Sequence, residues 1–370
     1  MSYFVQNLRR FAGELMEDPV GGPARISAAL KVKWKTGLEE TFGSSGMGRR
    51  LAARYRGRGV VLMFHEIHED VEGNLRMGCS PDQLRTVLSA LRAEGRDVIT
   101  PDEAMKRLAD PQAGDFAIMT FDDGYRDNRT LALPILEEFG APMTMFVPTG
   151  MVTREAYAWW LGLRALFLSS DEVEIEAMER RLTLADAPSR NAALRQVGLW
   201  IGTDRARADA LKPTFARHSI SIPALIDEVA MDEREIRSFA AHPLVTIGGH
   251  TTSHTFLSRL DDAAAYRDIA DNKRYLENLL DRPVRHFAYP YGTEGACGKR
   301  EAEYVRAAGF ETGFTTRSGH LFPAHLSTPC LMPREDAGFA HMSGSQLENR
   351  LSGARRALVT QFGDPVAGLR

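Results

Sequence analysis

A short apolar run that stops at two adjacent carboxylates constrains this chain more than any other feature. Phe116-Ala117-Ile118-Met119 reads as a buried strand. It leads into Thr120-Phe121-Asp122-Asp123-Gly124-Tyr125. In a parallel α/β fold, chemistry is placed at the carboxyl ends of the strands. Neighbouring side chains on a strand point to opposite faces, but at a strand end the chain is turning. Both carboxylates can therefore reach one cleft, one to hold a metal and the other to act on water.

Two stretches downstream repeat the pattern. Val245-Thr246-Ile247-Gly248-Gly249 reads as a second short buried strand and runs into His250-Thr251-Thr252-Ser253-His254. Histidines at i and i+4 face the same way on one helical turn, so both imidazoles can bind one ion. Phe287-Ala288-Tyr289-Pro290-Tyr291-Gly292 again ends a strand-like run in turn residues. Spacing alone does not decide between Asp122 and Asp123 as the third ligand.

Between these points helices alternate with short apolar strands, which argues for a parallel sheet or barrel. Val60 to Phe64 is the first strand and ends at His65; His68, close by, reads as solvent-facing. Helices are expected from Pro81 with Ser80 as cap, from Pro101 with Thr100 as cap, and from Asn128 to Phe139 with Gly140 closing it. From about Thr153 to Phe239 strand signals thin out and helical ones dominate. That stretch reads as a helical insertion on the catalytic face, with Trp159-Trp160 either a wall for a sugar ring or part of the insertion's core. Residues 2–17 and 24–38 have helical spacing, giving an N-terminal helical extension over 1–58. The body is then 59–345, with the insertion at 153–240 and a C-terminal helix and tail at 346–370. Leu331-Met332-Pro333-Arg334 returns toward the cleft after a late strand-like run.

The three motifs, in this order, resemble the polysaccharide deacetylase family (carbohydrate esterase family 4, with the nodulation-type chitooligosaccharide deacetylase homology domain). The first family motif, Thr-Phe-Asp-Asp-Gly, stands unchanged at 120–124. The second, His-Ser/Thr-x-x-His, is matched by His250 to His254. The third, Arg-x-Pro-Tyr-Gly, is matched except that Ala288 holds the arginine position. The resemblance implies a distorted (β/α) barrel of seven strands. It implies Asp123, His250 and His254 as ligands of a divalent metal, with zinc foremost and cobalt, nickel or iron also suited to the donors. Asp122 is then the general base, and Tyr291 gives its backbone N–H to the oxyanion. Arg334 is the replacement for the arginine missing at Ala288. Some members open with an apolar strand ending in histidine, which makes His65 the candidate general acid.

The activity so implied is metal-dependent removal of N-acetyl groups from an amino sugar in a polysaccharide, oligosaccharide or glycan precursor. An O-acetyl esterase could use the same site, and a non-catalytic carbohydrate-binding scaffold is the reading the missing arginine motivates. Two histidines and a carboxylate also describe non-haem iron oxygenases, but the order Asp then His-x-x-x-His amid alternating helices speaks against them. The partner is an N-acetylated glycan; the net charge of −3 makes no case for nucleic acid. Charge is uneven, though, and residues 1–58 carry a net +6. A basic segment of this kind can touch an anionic membrane surface. Cys79, Cys297 and Cys330 are odd in number and far apart, which gives no disulfide framework and no zinc signature. No stretch approaches the ~18 apolar residues of a membrane helix. The first residues have no secretion-signal pattern, so a cytoplasmic location is expected.

Overall fold

The computed structural model describes residues 52–69, 73–339 and 342–368. The helices expected over 2–17 and 24–38, and with them the N-terminal extension, lie outside the described residues.

The barrel is built from strands whose two faces are both covered. β1 (Gly59–Phe64) is buried along its whole length. Val60, Leu62 and Phe64 join the core beneath the outer helices, while Val61 turns inward to the core that fills the barrel. β2 (Glu66–Ile67) and β3 (Gly78–Cys79) form a small parallel pair over the rim. α1 (Pro81–Ala93) follows, with Ser80 Oγ accepting the Gln83 N–H at 3.2 Å. Then come β4 (Asp97–Val98) and α2 (Pro101–Ala109), the latter capped by Thr100. β5 (Phe116–Phe121) repeats the alternation of β1: Phe116 and Ile118 face the inside, Ala117, Met119 and Phe121 the helices. A π-helical turn, Asn128–Ala132, opens into α3 (Leu133–Phe139), and Gly140 ends it in the left-handed conformation at φ 61°. Parallel pairing with helical crossovers hides both faces of each strand, which is why these runs are apolar without alternation.

β6 (Met143–Val147) lies beside β5, and its other neighbour is β9 (Val245–Gly249). Everything between those two adjacent strands is an excursion from the barrel. It holds α4 (Trp159–Leu168), an antiparallel hairpin of β7 (Glu172–Ile175) and β8 (Arg180–Thr183), α5 (Ala187–Ile201), α6 (Ile222–Val229) and α7 (Glu233–Ala240). Residues 156–230 of it have a hydrophobic core of their own, centred on Leu163, Phe167, Val197, Phe215 and Ile226. Ile236, Phe239 and Ala240 of α7 belong instead to the barrel's core. The hairpin interrupts the purely helical excursion expected from the sequence. Its strands alternate exposed and buried residues, with Val173, Ile175 and Leu182 turned inward.

After β9 come α8 (Asp262–Leu280), β10 (His286–Ala288), α9 (Lys299–Ala307), β11 (Thr312–Phe314) and β12 (Glu335–Asp336). The strand order is β11-β10-β9-β6-β5-β1-β12, all parallel, with β4 added beside the start of β5. The segment leading to β12 closes the ring. Met332 bridges Phe314 of β11, and three residues later Glu335 pairs with Leu62 of β1. This is the distorted seven-strand barrel expected, and the ends of β1, β5, β9, β10 and β12 all open on one rim. Among the described residues no helix is long and apolar enough to cross a membrane.

Candidate active site

Asp122 continues the inward alternation of β5 and sits at the mouth of the barrel. Its two oxygens accept from Arg334 Nη1 and Nη2, each at 2.8 Å. Arg334 comes from the closing segment before β12 and is itself buried, with Nε donating to the Thr315 carbonyl and Nη1 to Thr120 Oγ1. A fork-to-fork pair of this kind fixes the plane of the carboxylate as well as its charge. Burial pushes the Asp122 carboxyl upward, but the facing Arg334 guanidinium and the neighbouring His250 and His65 together outweigh it and hold the group below the ordinary value. Ala288, at the position where an arginine was expected, packs inward with Phe146, Phe314 and Met332. The guanidinium that grips Asp122 therefore comes from the closing segment beside β11 rather than from the end of β10.

Asp123 leaves the strand with φ 72°, in the left-handed region. Thr251 (61°), His254 (52°) and Tyr291 (62°) do the same. Left-handed non-glycine residues cost on the order of 1–3 kcal/mol each and persist where surroundings dictate them. Here they turn three loops toward one point. His250 and His254 are not on a helical turn as their spacing predicted; they lie on an irregular loop, and the left-handed residues bring the two rings together at 5.2 Å between centroids.

The loop is shaped by α8. Asn272, fully buried, accepts the His250 N–H through Oδ1 and donates to the carbonyls of Val147 and Thr251. One turn earlier Asp268 accepts the N–H groups of Thr252 and Ser253 and the Ser253 hydroxyl. Neither residue was singled out from the sequence. A signal was present: Ala265, Ile269, Asn272, Leu276 and Leu279 share the buried face of α8, and Asn272 is the polar member of that stripe.

Asp123, His250 and His254 offer ligand atoms that all lie within 4.8 Å of one another. Asp123 Oδ1 is 3.2 Å from His254 Nε2 and 3.7 Å from His250 Nε2, and this buried oxygen accepts no hydrogen bond from any described residue. A buried carboxylate oxygen without a donor is costly, and a cation between the three atoms removes that cost. His250 Nδ1 donates to the Ala288 carbonyl at 2.7 Å, which leaves Nε2 with its lone pair toward Asp123. Burial pushes the His250 imidazole down to about 4, so it is neutral at neutral pH. The donor set, one carboxylate and two imidazoles, fits a divalent metal with coordination positions left over.

His65, just past β1, places Nε2 4.0 Å from Asp122 Oδ2, beyond hydrogen-bond reach. Tyr291 stacks on Phe256 at 3.7 Å and lies beside the His254 ring; burial pushes its phenol up to about 12. His65, Asp122, Asp123, His250, His254 and Tyr291 all line one cleft of about 600 Å³, into which Trp159 and Trp160 also reach. Both tryptophans are half-buried, packed on the insertion's core and lining the cleft. His68, expected at the surface, is buried, because the chain folds back at β2–β3 and covers it. The three cysteines are free and buried.

Known proteins share this architecture. Among solved structures, the IcaB structure from Ammonifex degensii superposes with a TM-score of 0.52 at 20% identity, covering 81% of this chain and 97% of that one. Streptococcus pyogenes deacetylase PplD, solved with acetate, gives 0.51 at 17% identity over 79% of this chain and 97% of that one. YxkH of Bacillus subtilis (strain 168), a provisionally assigned polysaccharide deacetylase, is 21% identical over 261 residues, 70% of this chain. The aligned stretch spans 64% of that relative's length. The family model described as polysaccharide deacetylase matches residues 109–313, which run from just before β5 into β11 and hold all three motifs. With more than half of its length so matched, the chain belongs to the polysaccharide deacetylase family.

Proposed function

We propose that this deacetylase is a metal-dependent hydrolase that removes N-acetyl groups from an amino sugar in a glycan or glycan precursor. The observation that carries the reading is the donorless oxygen of Asp123, facing two imidazole nitrogens next to a carboxylate gripped by Arg334. Asp123, His250 and His254 hold the ion, with zinc foremost and cobalt, nickel or iron suited to the same donors. When bound, a divalent metal supplies an acidified water and polarises the acetyl carbonyl.

The protein's own groups do the rest. Asp122, kept ionised and fixed in plane by Arg334, takes the proton of the attacking water. The Tyr291 backbone N–H is assigned to the oxyanion that develops on the acetyl oxygen. His65, across the cleft, hands a proton to the departing amine. An amide needs that proton more than an ester does, since an amine leaves poorly without it.

Acetate release from N-acetylated oligosaccharides and O-acetylated sugars tests this reading, using metal-stripped, zinc-reloaded and Asp122→Asn protein. Release that requires metal and vanishes in the variant is expected. His65→Ala is expected to lose amide hydrolysis and keep more of any ester hydrolysis. Tight zinc binding in a His250→Ala/His254→Ala double variant would overturn the ligand assignment.

A further inference from the structure

The insertion between β6 and β9 is fastened to the rim at several separate points. Arg164 of α4 donates to both oxygens of the buried Glu66 on β2 at 2.8 Å. Trp160 Nε1 donates to the Tyr125 hydroxyl after β5 at 3.0 Å, and Trp159 Nε1 to the Tyr291 hydroxyl after β10 at 3.4 Å. Arg205 donates to Thr255 after β9, and Arg259 returns a contact to Thr203 of the insertion. The insertion therefore spans the rim from β2 round to β10.

This arrangement decides where a glycan can run. An internal sugar of a polymer enters and leaves its site in two opposite directions, because the chain continues on both sides of the reacting ring. Here Trp159 and Tyr291 stand at one side of the cleft. Beyond them lies a cavity of about 20 Å³, lined by Tyr157, Arg205 and Thr255 among others. That is room for about one water molecule and none for a sugar. The insertion's fastenings wall the cleft from β2 round to β10, with Met77 and Trp160 on its lining, while Asp336, Gly338 and Phe339 line the side that the insertion leaves to the chain's exit. The cleft's volume of about 600 Å³ falls in the range of about 300–1,000 Å³ typical of ligand pockets.

We propose that this site accepts the terminal residue of an acetylated glycan, or a short acetylated sugar, and excludes internal residues of a long polymer. The proposal rests on the deacetylase reading above. The indole faces and Met77 pack the end sugar, and further residues extend outward, past the walls.

The test uses the full-length, zinc-loaded protein with N-acetylglucosamine oligomers of one to six residues, β-1,4- and β-1,6-linked, labelled at the reducing end. Acetate is counted per chain, and the position of the free amine is mapped by tandem mass spectrometry. One acetate per chain, always from the same end, is expected. kcat/KM should change less than about threefold from dimer to hexamer, because sugars outside the walls add no transition-state binding. Several acetates per chain from internal positions, with kcat/KM climbing about tenfold or more with length, would overturn end-selectivity and leave deacetylation intact. No acetate from any oligomer overturns deacetylation of this glycan class and end-selectivity with it.

Discussion

The barrel rim and the insertion face the same cleft and are built on opposite plans. On the rim, polar side chains are fixed by buried hydrogen bonds: Arg334 on Asp122, Asn272 on the His250 loop, the Ala288 carbonyl on His250. The insertion presents apolar rings, Trp159 and Trp160, on a separate core, and reaches the rim through a few side-chain contacts. On the proposed function, chemistry belongs to the first region and access to the second. The contrast also says what should fail when each is damaged.

The largest effect is expected on the rim. Asp122→Asn should lower kcat for acetate release by about 10²–10⁴-fold, with little change in sugar binding measured on the same protein by tryptophan fluorescence. A matching loss of binding would blur the division. Next is the joint between the regions. Arg164→Met leaves Glu66 buried without its main partner, which costs about 3–5 kcal/mol where the charge cannot relax. Hydrogen exchange should quicken across 159–229 and stay unchanged in β1 and β5; equal quickening in both would show one cooperative unit. Third, Asn272→Ala should weaken zinc binding about 10–100-fold, as loss of a group that orients ligands does, read by competition with a chromophoric chelator. Fourth, Trp159→Ala should raise KM several-fold for the shortest substrates with kcat nearly kept, the pattern of lost uniform binding.

The smallest effect concerns pH. Burial, and then the neighbouring Glu66 charge, raises the Asp127 carboxyl from 3.8 to about 7. The folded chain therefore keeps a proton that the unfolded chain releases. That stability is present below the unfolded value and is lost as pH rises through 7. The gap in Tm between Asp127→Asn and the parent should grow in the variant's favour from pH 5 to pH 8. A gap independent of pH would mean that the carboxyl is not raised.

Much of the rim was legible because its signals are local. Each motif follows an apolar run, so Asp122, Asp123, His250, His254 and Tyr291 could be set at strand ends from the sequence, and the structure brings them to one cleft. Arg334 was readable by its place after a late strand, and it meets Asp122. The conformation between the two histidines was not legible: i, i+4 spacing suits a helical turn, but the buried Asn272 and Asp268 captured the loop's N–H groups from another element. The hairpin at 172–183 was missed because each strand has only four residues, too few for a period of two to stand out. His68 was misread because burial there depends on β3, eleven residues further on.

The Arg334 pair also has a consequence in time. Asp122 leaves the ribosome 212 residues before its guanidinium partner. Until the segment before β12 is made and docked between β11 and β1, a nascent chain carries the histidines and both aspartates but nothing to grip Asp122. The contact that orients Asp122 is thus among the last the growing chain can make. A ribosome-stalled chain ending before Pro333 should capture zinc without releasing acetate, and adding back the closing segment as a peptide would be the way to switch it on.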